Sequence, residues 1–229
     1  MHQHQEGQLI VALKGAVTCE VPEAMWVVPP LCGVWVPSET PHSIRATANA
    51  EMCHLFVEPS ASKLPSRCCT LALSALVREL ILDIASRDSK YETNSSTGRK
   101  SDLLLEELAT MPIEQLYLPT SQEPRIQTMA RKLIDDPADR RTLDDWGKYL
   151  AMSERSLARL VLKETGLTFG RWRQQLHLIV AMRQLASGSS VQQTANDLGY
   201  DSVNAFIAMF KKVVGKPPAR YFADLTAAP

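Results

Sequence analysis

Arg155, Ser156, Arg159 and Lys163 lie within one helical stretch whose remaining positions include Leu157, Leu160 and Val161. Helical periodicity turns those three apolar residues toward a core and leaves Arg155, Ser156, Ala158, Arg159 and Lys163 facing outward. A guanidinium fork matches the O6 and N7 acceptors that guanine presents in a DNA major groove. On any helix taken alone, such a basic face is first of all a solvated surface. A second set of polar side chains stands near the N-terminus: His2, His4, Gln8 and, further on, His42. Imidazoles ligate divalent cations or line polar pockets, whereas glutamine is a neutral and poorer ligand.

The elements that must position the basic face carry clear signals. Residues 142–166 read as helix, turn and helix, with Thr142 and Asp145 forming a capping-box-like start and Ser153 capping the second helix. Residues 190–222 repeat that grammar. Ser190 caps a helix with Val191, Ala195 and Leu198 on one side, and Gly199 supplies a left-handed turn residue. Asp201 or Ser202 caps the next helix, whose expected buried stripe is Ala205, Phe206, Met209, Phe210 and Val213. Gly215 ends it, and Pro217 and Pro218 keep it from continuing. Between the two motifs, residues 168–187 read as an unbroken helix about 30 Å long, near the roughly 34 Å of one DNA turn. Trp172, Leu176, Ile179, Val180 and Leu185 are its expected core residues. Arg171 and Arg173 either touch phosphate or solvate the helix.

The second motif resembles the C-terminal signature of AraC-type (AraC/XylS) bacterial transcription regulators. Ala195, Leu198, Gly199, Tyr200 and Ser202 match its first segment, Phe206, Phe210 and Lys211 its second, and Gly215, Pro218 and Tyr221 its third. The resemblance covers 124–223 closely. It implies a helix-turn-helix DNA reader whose groove-facing positions are Arg155, Ser156 and Arg159 in the first motif, with Lys163 on phosphate. In the second they are Val203, Asn204, Ile207 and Ala208. There only Asn204 can hydrogen-bond a base edge, with adenine its natural partner, while the apolar side chains suit thymine methyls. Lys211 and Lys212 are placed on phosphate, which positions without specifying. The first motif is thus expected to discriminate sequence and the second to anchor. His177 stands where the family usually carries arginine, and reads as a structural residue.

Residues 1–58 read as short strands rich in Val, Trp and Cys. His2-x-His4-x3-Gln8-x6-Gly15, then Pro37-x-Glu39-x2-His42, resembles the two motifs of the cupin barrel, in which two histidines, a glutamate and a third histidine meet at one metal. Gln8 takes the glutamate position and Glu39 the place of a glycine. AraC-type regulators commonly use such a barrel for an organic effector, so an effector pocket at His2, His4, Gln8 and His42 is expected, with no resident metal or other cofactor. The chain opens inside the first motif, so the expectation is either that the sequence starts late or that the barrel is incomplete, a missing strand exposing an edge. Two alternatives stay open: a constitutive regulator with no working sensor, and a metal-dependent cupin enzyme fused to a DNA-binding tail, which the glutamine and the missing strands disfavour.

The rest of the chain fits this plan. Residues 59–70 read as a Pro/Ser-rich connector. Leu73, Leu76, Val77, Leu80, Ile81 and Ile84 mark a helix, 88–100 a polar loop, and Ser101 the cap of a second helix. By resemblance this helical pair is a dimerisation unit. Residues 112–124, with three prolines, read as the interdomain linker, and Ile126, Met129, Ala130, Leu133 and Ile134 form one apolar face beyond it. Up to residue 120 there are nine Lys/Arg against fourteen Asp/Glu; after it there are sixteen against eleven. The zero net charge therefore hides an acidic half and a basic half, the basic one suited to nucleic acid.

Five cysteines without metal-knuckle spacing fit a reducing cytoplasm, and the adjacent Cys68 and Cys69 read as small apolar residues at a helix start. No apolar run reaches the roughly 20 residues needed to span a bilayer. The expected fold class is α+β. A cupin-like sensing domain covers 1–62, a helical unit and linker 63–120, and an all-α domain with two helix-turn-helix motifs 121–229. The expected protein is a non-enzymatic, cytoplasmic, sequence-specific regulator, activator or repressor, binding double-stranded DNA. Its expected partners are a small organic effector, a second copy of itself and, for an activator, RNA polymerase.

Overall fold

The computed structural model describes residues 1–30, 32–61, 63–87 and 90–226. Residue 31, at the head of one expected strand, the expected boundary at residue 62, and residues 88–89 of the expected polar loop lie outside them. Contacts divide the described residues into two units, one holding 1–19 and 28–115, the other 20–27 and 116–226.

In the first unit, β1 (Gly7–Lys14), β4 (Cys32–Val36), β6 (Glu51–Val57), β7 (Cys69–Ala72) and β8 (Ile113–Glu114) form a sheet of order β6-β1-β4-β7-β8. Its pairs are antiparallel, with Leu9 opposite both Trp35 and Leu55. The sheet is open, with β6 and β8 as its edges, so the strands make no closed barrel among the described residues. β2 (Val17–Val21), β3 (Ala24–Val28) and β5 (Ser43–Ala46) are further strands.

Two helices, α1 (Ala75–Ala85) and α2 (Ser96–Leu108), cover one face of the open sheet. Leu9, Val11, Trp35, Val57 and Leu71 pack there with Val77, Ile81, Leu104 and Leu108 in one apolar cluster. The alternating strand residues and the i, i+4 helix residues supply that face as their periods require.

Three expectations for this unit change. Ser95, not Ser101, caps α2, its hydroxyl accepting from Gly98 N–H; the helix therefore reaches back into the expected loop. Cys69 begins a strand rather than a helix, because its partner Trp35 lies on β4. The expected linker also contributes strands: β8 pairs with β7, and β9 (Tyr117–Pro119) pairs with β3, Met25 opposite Leu118. Burial of Leu116 and Leu118 explains why this proline-rich stretch is fixed rather than free.

The second unit is otherwise helical. α3 (Pro124–Asp135) buries Ile126, Met129, Ala130 and Leu133, and Glu123 caps it. α4 (Leu143–Tyr149) and α5 (Glu154–Thr165) form the first helix pair, and α7 (Val191–Asp197) and α8 (Val203–Val214) the second. α6 (Phe169–Ala186) runs between the pairs, and α9 (Pro218–Thr226) follows them. Pro218 thus starts a new helix as well as following the end of α8.

α6 buries Trp172 and every residue from Leu176 to Met182. Leu185 is only partly buried. In α8 the buried stripe is Phe206, Met209 and Phe210, spaced i, i+3, i+4. Ala205 falls outside that arc and is exposed; Val213, seven residues after Phe206, lies on it at the last turn and is exposed too.

Gly199 and Gly166 both adopt φ +72°, but a Cβ on Gly166 would meet nothing within 4 Å, whereas one on Gly199 would sit 3.1 Å from Ala138 Cα and O. Gly166→Ala is expected to lower unfolding stability by about 1 kcal/mol through left-handed strain alone. Gly199→Ala is expected to lose measurably more. Urea denaturation of the two variants side by side checks the difference.

Candidate nucleic-acid interface and sensing site

The second helix of each pair, α5 and α8, begins with the hydroxyl cap its sequence calls for. Ser153 Oγ accepts from Ser156 N–H, and Ser202 Oγ from Ala205 N–H, while Gly166 and Gly215 close the helices in the left-handed region. Thr142 and Asp145 form a full capping box ahead of α4. These caps satisfy orphan backbone donors locally and so fix where each helix starts.

On α5, Arg155, Ser156, Arg159 and Lys163 are exposed, and Leu157 and Val161 are buried; Ala158 and Leu160 are intermediate. Arg155 and Arg159 make no ion pair or hydrogen bond among the described residues, while Lys163 lies 3.5 Å from the neighbouring Glu164. On α8, Asn204, Ala208, Lys211 and Lys212 are exposed, and Val203 and Ile207 half-buried.

Three other arginines of this unit are occupied. Arg140 Nη2 donates to Gly199 O and to Asp201, both at 2.7 Å. Arg141 pairs with Asp139 and lays its guanidinium 3.7 Å from the Trp146 ring centroid. Arg173 donates to Arg141 O at 3.0 Å. It is therefore a structural tie, and burial pushes its pKa down. Periodicity had left phosphate contact or solvation as its roles, because the acceptor sits 32 residues away in sequence.

His177 is buried on α6. Its Nε2–H donates to Pro137 O at 3.1 Å, which leaves Nδ1 to accept from the Tyr200 hydroxyl at 3.2 Å. Burial, helped by the Arg173 charge, pushes its pKa down to about 4.

In the first unit, the structure gathers His2, His4 and His42, with ligand-capable atoms within 4.8 Å of one another. His2 and His42 pair through their backbones, and Glu39 N–H donates to His4 O. Glu39 sits at φ +56°, so a side chain stands where glycine is favoured. The Nδ1–H of His4 faces Glu6 O at 2.7 Å and that of His42 faces Thr40 O at 2.8 Å. Both Nε2 atoms face the Gln8 carbonyl oxygen Oε1, at 3.2 and 2.8 Å. Burial, and then the neighbouring imidazoles, push the His42 pKa down.

Neutral rings anchored through Nδ1–H carry an Nε2 lone pair, which a cation satisfies and a carbonyl oxygen does not. The three histidines could therefore hold a metal ion, but Gln8 adds no charge. His54, 2.6 Å from the Gln8 amide, joins the cluster from β6. Sequence spacing offered no signal for it, since only the β1–β6 register brings it near.

A family profile described as an AraC-like ligand binding domain matches residues 1–111, and one described as a helix-turn-helix domain matches 146–224. HTH-type transcriptional regulator NimR of Escherichia coli (strain K12) is 51% identical over 226 residues, spanning 99% of this chain and 83% of that one. The chain belongs to the AraC family of DNA-binding transcriptional regulators. HTH-type transcriptional regulator RipA of Corynebacterium glutamicum is 27% identical over 121 residues, 52% of this chain and 37% of its own. The crystallised DNA-binding domain of AdpA in complex with a target DNA superposes at a TM-score of 0.43 and 24% identity, covering 46% of this chain and 96% of that one. No helix among the described residues of the regulator is long and apolar enough to cross a membrane.

The depressed His177 pKa has a thermodynamic consequence. The folded chain favours the neutral ring, so this stabilisation is complete above the unfolded pKa of about 6.5 and drains away as pH falls toward 4. The loss is on the order of 3 kcal/mol at its limit. Urea denaturation at pH 7 and pH 4.5 is expected to show that loss for the native chain and a smaller one for His177→Gln.

Proposed function

We propose that this regulator reads a specific operator through two major-groove helices, α5 and α8, held by α6. The observation that carries the reading is the outer face of α5: Arg155 and Arg159, one turn apart behind the Ser153 cap, are exposed with no protein partner among the described residues, whereas Arg140, Arg141 and Arg173 are tied to protein oxygens. Guanidinium groups kept free on a capped helix, in a half carrying five more basic than acidic residues, suit base edges and phosphate. α6 has 18 residues, about 27 Å of helix, comparable with the roughly 34 Å between successive major grooves on one face of DNA.

In this reading Arg155, Ser156 and Arg159 discriminate bases, and Asn204 reads adenine. Val203 and Ile207 meet thymine methyls, and Lys163, Lys211 and Lys212 hold phosphates. The three modules are a sensing part (1–62), a helical and linker part (63–120) and a DNA-reading part (121–229). The protein acts by binding rather than catalysis, in the cytoplasm, as a homodimer whose contact uses α1 and α2. An organic effector shifts the population of the DNA-competent form, and an activating role would add contact with RNA polymerase.

The test is a titration of the full chain against DNA flanking its own coding region and a scrambled control, across a salt series. Preference for the native fragment by about three orders of magnitude is expected. Arg159→Ala is expected to weaken operator binding by about 10- to 100-fold and to blur base preference, whereas Lys211→Ala is expected to weaken all sequences alike and flatten the salt slope. Intact discrimination in Arg159→Ala with its loss in Asn204→Ala would reverse the division of labour.

A further inference from the structure

A cavity of about 420 Å³ opens in the first unit between the edge strand β6 and the helices α1 and α2. Its lining includes His54 of the histidine cluster, but its apolar walls are Leu55 and Val57 from β6, Ile81 and Ile84 from α1, and Leu104 and Leu105 from α2. Its size falls within the range of small-molecule sites, roughly 300–1,000 Å³. Val57, Ile81 and Leu104 belong to the main apolar cluster, while Leu55, Ile84 and Leu105 pack only partly against it. Apolar surface is thus left uncovered beside the core. Because β6 pairs on one side only, with β1, no strand among the described residues covers this flank.

The charges around it are internally balanced. Arg87, the cation on the lining, donates to Asp83 through Nε at 2.9 Å and Nη2 at 2.7 Å, and Lys100 donates to the same carboxylate at 2.7 Å. Those two cations and one anion leave a single positive charge, which Glu58, the remaining charged lining residue, offsets. Of the polar lining groups, the Ser101 hydroxyl donates to Thr97 O and keeps its acceptor lone pairs, and the Cys53 thiol is held protonated by burial. A low-dielectric wall without an unmatched charge penalises an ionised ligand.

We propose that this cavity is the effector site of the regulator and that it takes an uncharged, mainly apolar organic molecule with one hydrogen-bonding group. The proposal rests on the effector-responsive reading above and adds its place and ligand class. An occupant would touch strand β6 and both helices at once, so binding would tie the sheet edge to the helical pair.

The test is calorimetric titration of the full chain with three probes of one shape: 4-phenyl-1-butanol, 4-phenylbutyrate and 4-phenylbutylamine. The alcohol is expected to bind at least tenfold more tightly than either ion. Ile84→Trp and Leu105→Trp, which place an indole in the cavity, are expected to weaken the alcohol tenfold or more while retaining cooperative unfolding. Should either variant lose its fold, Ala85→Val, a smaller insertion, is expected to weaken it about threefold.

Absence of binding by all three probes at millimolar concentration would overturn the proposal. So would ionic probes that bind as well as the alcohol, or unchanged affinity in the filled variants. Filled variants that shift dimer dissociation in sedimentation but leave the alcohol unaffected would assign the groove to a second copy of the chain. Operator titration without any probe reads the regulatory function separately: its failure beside normal alcohol binding would sink that function and leave the ligand site standing.

Discussion

The second unit depends on α6 being buried on nearly every side over its middle turns. A helix between two helix pairs must serve both, so an apolar stripe on one face would not suffice. The unbroken buried run from Leu176 to Met182 is the result. Trp172 anchors the N-terminal end, its indole N–H donating to Pro119 O at 2.8 Å, so even its polar atom is satisfied within the packing. His177 is the polar interruption, and it remains tolerable because Pro137 O and Tyr200 give both of its nitrogens a partner. An unpaired ring at that depth would be expensive.

Around that rod, the segment joining α3 to α4 acts as a strap. Pro137 meets His177, Ala138 lies against Gly199, Arg140 reaches Gly199 O and Asp201, and Arg141 O receives Arg173. The exposed Arg140–Asp201 pair adds little energy by itself. Its geometric effect is larger, since it joins the turn of the second helix pair to residues just before the first. The spacing of the two helix pairs is therefore held at several points besides the helix that connects them.

The sensing unit follows a different logic. Its core is one sheet face against two helices, and the sheet ends at β6 without closing. The histidine cluster and the apolar cavity both use β6: His54 belongs to both, and Leu55 and Val57 wall the cavity. An edge strand is the part of a sheet least constrained by neighbours, which makes it a natural place for a ligand to exert leverage.

Helix boundaries in the DNA-binding half were legible in the sequence because their causes are local. A serine hydroxyl reaches an amide three residues on, as at Ser153, Ser190 and Ser202, and a glycine takes positive φ, as at Gly199 and Gly215. Family signatures carried the function for a similar reason: they sit in one contiguous stretch. Distant pairing was invisible. Nothing near Ile113 or Leu118 announces a strand, because β8 and β9 exist only through partners some 40 and 90 residues away. Arg173 looked free to reach phosphate until Arg141 O was placed beside it, and His54 joined the histidines only through β-sheet register. Sequence alone determined caps, turns and the two-reader plan, since these need only neighbours along the chain. Tertiary structure decided which polar side chains stay free for a partner, because that depends on acceptors far away in sequence.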